Sequence, residues 1–219
     1  MKELIYKDFK LLRFKKVDLL IISFPLWIYY ILNPLSIDVK VLQYIFDDYL
    51  CYSAFGVIFY LYFTFIYELV GKEVIQGTLE PLLASPVSPR ELWLSKVITV
   101  ESLSLSFIFL LDSVCIAVYT LFFKIRLNNW LRVAVFLLLY FPFVTFSLLC
   151  LLMMIILTMP YSSIVNFLLL PISILLISYW HYLSSRFLAY ILVSCFLLLF
   201  LSWVIMGRVS RNRLFFLWK

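Results

Sequence analysis

"EVIQGTLEPLLASPVSPRELWLSK", residues 73–96, is the one long polar stretch in a chain that otherwise reads as oil. It carries Glu73, Glu80, Arg90, Glu91 and Lys96, one of the four glycines and three of the eight prolines. Two of the greasiest runs of the sequence flank it. The fold follows from what those runs are, and the function from why so polar a segment is kept between them.

The chain has 219 residues, of which 65% are hydrophobic, and a mean hydropathy of +1.07. A soluble domain is normally about half apolar, so there is too little polar surface here to cover a water-soluble globule. Runs of about 20 apolar residues span a bilayer as helices. An all-α integral membrane protein is expected, a single domain over 1–219. Six spans are expected at about 18–33, 50–70, 97–123, 133–158, 162–180 and 187–206, with residues 71–96 as the one substantial inner segment. Pro25 and Pro171 fall inside spans, where neighbouring helices or water can satisfy the freed carbonyls. Gly207 stands where a C-terminal helix glycine is expected. Residues 1–17 are basic, and Ile5, Phe9 and Leu12 share one helical face, which predicts a helix lying at the membrane interface. This start is too polar and too long for the n-region of a cleaved signal peptide, so it is expected to remain in the mature protein.

Lysines and arginines orient the chain. With both termini in the cytoplasm, thirteen fall inside and five outside, the five being Lys40, Lys124, Arg126, Arg132 and Arg186. A plasma-membrane, multi-pass protein with cytoplasmic ends follows. The tight outer group Lys124–Arg132 is an exception to the rule. Tyr and Trp gather at the expected boundaries as interfacial anchors or, alternatively, along a substrate path. The net charge of +6 sits beside apolar runs and not on a soluble face, so nucleic acid is not an expected partner and membrane lipids are. Cys51, Cys115, Cys150 and Cys195 lie inside apolar runs without metal or disulfide spacing and read as small packing residues. No internal repeat is visible, which argues against carriers built from inverted repeats.

Several chemistries lack their residues. There is no G-x-x-x-x-G-K-[ST] phosphate loop, so the chain is not expected to hydrolyse ATP, and no catalytic residue or metal ligand set is expected. His181 is the only histidine, and no serine has a histidine or lysine at motif spacing. Intramembrane charge is sparse. Asp112 lies mid-span, where a charge costs about 2.5–3.5 kcal/mol on insertion scales. It therefore faces other helices or water, as part of a translocation path or as a structural hydrogen-bonding group. Glu101 lies on the same helix, nearer the interface.

Within 68–96, Glu68 to Gln76 continues the second span out of the membrane. Gly77 allows a change of direction, and Thr78 can cap a short helix over about 79–84, although Pro81 and not Glu stands three residues on. Leu79, Leu82 and Leu83 give that helix an apolar face. Ser85-Pro86 and Ser88-Pro89 stop it, and Glu91 to Lys96 leads into the third span. An apolar face on an inner loop is the shape of a docking element.

The order of residues Lys72, Glu73, Gly77, Thr78, Leu79, Glu80, Leu82, Leu83, Ser85, Pro86, Val87, Ser88, Glu91 and Lys96 resembles the signature of the type-2 ABC exporter permeases. The motif covers about a tenth of the chain, and the six expected spans extend the likeness. The resemblance implies a gating role for Glu68, Lys72 and Glu73. It implies an ATPase-coupling helix carried by Gly77, Thr78, Leu79, Glu80, Leu82, Leu83, Ser85 and Pro86. It further implies a separate ABC ATPase subunit that binds the ATP and magnesium, and a second permease copy, identical or not. No cofactor is expected in this chain. The chain departs from many members after the fifth span, where 171–186 holds almost no outer insertion, a compact end similar to haem-exporter-like permeases of the same superfamily. The expected function is the membrane subunit of an ATP-driven exporter, with Phe55, Phe59 and Phe63 on one face of the second span either lining the path or packing. The rivals are a secondary transporter and a membrane scaffold that moves nothing.

Overall fold

The computed structural model describes residues 2–13, 38–71, 73, 87–158 and 185–209, and every regular element among them is helical. α1 spans Lys2–Arg13, α2 Val39–Ile66, α3 Pro89–Phe122, α4 Trp130–Val135, α5 Phe141–Thr158 and α6 Ser185–Arg208. Two π-helical turns extend them, Tyr67–Gly71 after α2 and Phe136–Tyr140 between α4 and α5. Among the described residues three helices are long and apolar enough to cross a membrane: Val39–Val70, Pro89–Phe122 and Trp130–Ile155. The apolar stretch Val193–Arg208 is shorter. The expected spans 18–33 and 162–180 lie outside the described residues.

Several expected boundaries move. Residues 34–49 fall between the first two expected spans, yet α2 begins at Val39. Leu42, Phe46, Leu50, Ala54, Ile58, Tyr62, Ile66 and Val70, each four residues on, are all buried, a stripe that winds around the helix by about 40° at each step. That stripe starts well before the most apolar run, so the helix does too. α3 begins at Pro89, eight residues ahead of the expected position 97, because its start is set by polar residues. Ser88 accepts a hydrogen bond from the Glu91 amide at 3.2 Å, and Glu91 accepts one from the Ser88 amide at 3.0 Å. With Pro89 at the first helical position, this is a complete capping box. α3 ends where Lys124 enters the left-handed region at φ 56° and the Ile125 amide turns back to the Tyr119 carbonyl at 3.1 Å.

α4 begins at Trp130, and Asn129 caps it by accepting from the Arg132 amide. The π turn that follows has a cause in Pro142. Proline lacks an N–H and its ring collides with the carbonyl four residues back, and widening the preceding turn relieves both.

α3 is the axis of the bundle and packs against α1, α2, α5 and α6. Phe46 of α2 meets Tyr119 of α3 at 5.2 Å, and Trp93 of α3 donates from Nε1 to the Cys150 carbonyl of α5 at 3.1 Å. Near the start of α3 the Arg90 guanidinium lies 4.8 Å over the Trp203 ring of α6, and it fills the space beside Gly207, where a Cβ would stand 1.7 Å from Arg90 Nη2. α1 does not bury a purely apolar face. Leu4, Ile5 and Phe9 are half-buried, and the most deeply buried residue among those described there is Asp8.

Candidate functional site

Asp8 leads to the most highly charged part of the interior. Lys96 is on α3, one turn after Trp93, and its side chain is wholly buried. Lysines are almost never fully buried without partners, and three oxygens face this one. Glu73 Oε2 is 2.7 Å from Lys96 Nζ, Asp8 Oδ1 is 3.6 Å away, and the Leu69 carbonyl in the first π turn accepts at 3.4 Å. Glu73 presents its other oxygen to Lys7 Nζ of α1 at 3.2 Å. The Ser95 hydroxyl lies 3.4 Å from Asp8 Oδ2 and 2.9 Å from the Leu92 carbonyl. Two cations thus balance two carboxylates, which is what allows the group to be buried.

The network joins α1, the extension of α2 and the start of α3. Burial pushes the Asp8 carboxyl above its ordinary 3.8, Lys96 opposes that rise, Glu73 adds to it, and Lys7 again lowers it. The proton preference of Asp8 therefore reflects an incomplete offset of desolvation by its partners.

A second polar group lies farther along α3. Glu101 is buried, with one oxygen accepting from the Tyr62 hydroxyl of α2 and the other from Thr145 Oγ1 of α5 at 2.9 Å. Thr145 Oγ1 is also 2.8 Å from the Phe141 carbonyl. One carboxylate thereby ties three helices together through neutral hydroxyls. Farther still, Asp112 is buried and stands within electrostatic reach of Cys51 on α2 and Cys115 on α3.

The other residues singled out from the sequence separate clearly. Glu73 is in the ion network, and Glu68 is half-buried in the π turn Tyr67–Gly71. Phe55 packs edge-on against Phe136 and Phe141 at 5.8 and 5.0 Å, and Phe59 meets Tyr62 at 6.4 Å, so both rings belong to the core within the chain. Phe63 is on α2, and its side chain lies outside the described set. Lys72, Gly77, Thr78, Leu79, Glu80, Leu82, Leu83, Ser85 and Pro86 lie outside the described residues. All four cysteines are free and buried, and among the described residues no group of three His, Cys, Asp or Glu side chains is placed to hold a metal ion.

Asp8, Tyr62 and Thr145 were not singled out from sequence. For Asp8 a signal exists, a lone acid in the basic run Lys7-Asp8-Phe9-Lys10, which reads naturally as part of a solvated face. For Tyr62 and Thr145 there is none, since their importance comes only from facing Glu101.

In the basic cluster Lys124–Arg132, unexplained by sequence, Arg132 and the loop backbone meet polar partners on the early turns of α2. Arg132 pairs with Asp48 at 3.3 Å. Asp47 accepts from the amides of Asn128 and Asn129 at 3.1 and 2.8 Å, and Gln43 donates to the Arg126 carbonyl at 2.8 Å. Gln43, Asp47 and Asp48 lie ahead of the second expected span, in the part of α2 that its apolar run does not reach. Compared with models of known families, with curated proteins and with solved structures, the chain finds no match.

Proposed function

We propose that this chain is the membrane subunit of an ATP-driven exporter, working with a separate ATPase that docks on residues 77–86. The observation that carries the reading is the Lys96–Glu73 ion pair. Glu73 precedes the segment 74–86 and Lys96 follows it, and the two are held 2.7 Å apart with Asp8 beside them. A force applied to the intervening segment reaches the ends of α2 and α3 together, and α1 with them. The sequence likeness of residues 72–96 to the exporter signature and the absence of a phosphate loop support the same division of labour. In this reading the three long apolar helices span the bilayer, with the α1 end inside, and two permease copies enclose the path.

The test is co-purification. The tagged chain is extracted gently from its native membrane and its companions are identified by mass spectrometry. Recovery of a P-loop ATPase, lost when Leu79 and Leu83 are changed to charged residues, is the expected result. The reading fails if no ATPase accompanies the native chain.

A second reading has one observation in its favour. Glu101 and Asp112 are two buried carboxyls on one helix, which is the equipment of a proton-coupled carrier. Transport that survives ATP depletion while ion gradients persist would favour it.

A further inference from the structure

At the end of the bundle opposite α1, a cavity of about 380 Å³ opens between α2, α4 and the second π turn. Its size lies within the range of about 300–1,000 Å³ found for small-molecule sites. Asp47, Asp48 and Cys51 of α2 form one wall, and Arg132, Phe136 and Tyr140 form the other. We infer that this cavity binds the headgroup of a membrane phospholipid that carries both an ammonium and a phosphate, with phosphatidylethanolamine as the fitting class.

The charges set the headgroup. Asp47 is buried, and its two oxygens are held by backbone amides, which are neutral. Its negative charge is therefore stabilised but not cancelled. Asp48 has a cationic partner in Arg132, but that pair is half open to solvent, and pairs of this kind exchange readily. The cavity thus sets two carboxylates and a guanidinium side by side. An ammonium group fits between Asp47 and Asp48. The guanidinium N–H groups left over from the 3.3 Å contact with Asp48 remain to bind a phosphate, the anion their planar fork suits. A purely anionic headgroup would meet two carboxylates, and a purely cationic one would leave the guanidinium N–H groups without an anion.

The surroundings select a lipid over a soluble zwitterion. Leu131, Val135, Leu138 and Leu139 run away from the cavity along α4 and the π turn, and all four are exposed. They form an apolar track long enough to carry the first part of an acyl chain. Trp130 is exposed at the head of that track, the position in which tryptophan marks the boundary between headgroups and hydrocarbon. The site lies within one chain and is independent of any path between two copies, and it stands whether or not an ATPase is the partner.

The full chain in mild detergent is titrated with phosphatidylethanolamine or phosphatidylglycerol, and retained lipid is read by native mass spectrometry. The native chain is expected to retain phosphatidylethanolamine about tenfold better, the worth of one charge-assisted contact. Asp48→Asn frees Arg132 and removes half of the ammonium site, so the preference should move toward phosphatidylglycerol. Arg132→Gln should weaken retention of both lipids. Both side chains are partly exposed, so folding is not at stake, and a thermal melt confirms it. Equal retention of the two lipids by the native chain, or a preference unchanged in Asp48→Asn, overturns the site. Displacement of the lipid by free phosphoethanolamine at the same concentration overturns the lipid assignment and leaves a soluble zwitterion as the ligand.

Discussion

Replacing Lys96 by methionine removes the cation on which Glu73 and Asp8 converge and keeps most of the side chain's volume. At an effective dielectric of about 20, the 2.7 Å contact with Glu73 carries a gross attraction of about 6 kcal/mol and the 3.6 Å contact with Asp8 about 5 kcal/mol. Desolvation of the three groups consumes most of that sum. What remains measurable is the cost of leaving buried carboxylates uncompensated, about 3–5 kcal/mol when one partner of a buried pair is removed. Lys96→Met leaves two carboxylates and should fall at the top of that range. Glu73→Gln leaves Lys96 with its more distant carboxylate and the Leu69 carbonyl, and should cost about 3 kcal/mol. Asp8→Asn should cost least, about 1 kcal/mol, because it also relieves the desolvation that raises the Asp8 carboxyl. The triple variant Lys96→Met, Asp8→Asn, Glu73→Gln should recover much of the loss of Lys96→Met alone. Denaturant-induced unfolding in detergent measures all four. A Lys96→Met protein as stable as the native chain, or Asp8→Asn more damaging than Glu73→Gln, refutes the reasoning.

Further outcomes follow from the same structure. Tyr62→Phe should cost about 1.5–3 kcal/mol in the same assay, as the loss of a hydrogen bond to a charged group. Thr145→Val should cost less, because the Thr145 hydroxyl is shared with the Phe141 carbonyl; the opposite order would mean that Glu101 leans on α5 and not on α2. Ser88→Ala should cost about 1 kcal/mol and Ser88→Asp much less, since aspartate can still cap the helix; equal losses would deny the capping box its part in starting α3. Asp8 also predicts a pH dependence. Its folded-state pKa lies above 3.8, so the folded state binds the proton more tightly than the unfolded one. Its contribution is fully present below 3.8 and is lost as pH rises through the raised value. The stability of Asp8→Asn relative to the native chain should therefore improve as pH climbs through that window. A difference constant with pH contradicts the assignment.

How far the sequence could be read depended on whether a residue acts through its own type or through its neighbour. Composition and run length pointed to long apolar helices, and α2, α3 and α5 are such helices. Ser88-Pro89-Arg90-Glu91 contained a full start signal for α3, an N-cap, a first-turn proline and an acid three residues on. It was read instead as a stop for the preceding segment, because serine and proline serve both purposes. The early turns of α2 do not read as helix because Asp47, Asp48 and Gln43 give that stretch the composition of a loop. Those polar side chains answer the amides and the arginine of the 124–132 loop, a match visible only once the two ends are adjacent. The complete burial of Lys96 was not legible, because nothing local in Leu94-Ser95-Lys96 distinguishes an interior lysine from an interfacial one.

The contacts between α2 and α3 form an antiparallel register. Leu69 and Glu73 face Lys96, Tyr62 faces Glu101, and Phe46 packs on Tyr119. Apolar packing alone would define that register weakly. Leucine, isoleucine and phenylalanine fill one another's spaces with modest loss, and in a bilayer the lipid tails compete on equal terms for the same surfaces. A buried ion pair or carboxylate–hydroxyl contact has no such substitute, since sliding by one turn would leave its partner uncompensated. The polar ties therefore fix α2 against α3 at separate levels. The π turn Tyr67–Gly71 lies between the Tyr62–Glu101 tie and the Glu73–Lys96 tie. Its hydrogen bonding departs from the regular α pattern, so the two ties, and not an unbroken α-helix, hold the residues on either side of it in register with α3.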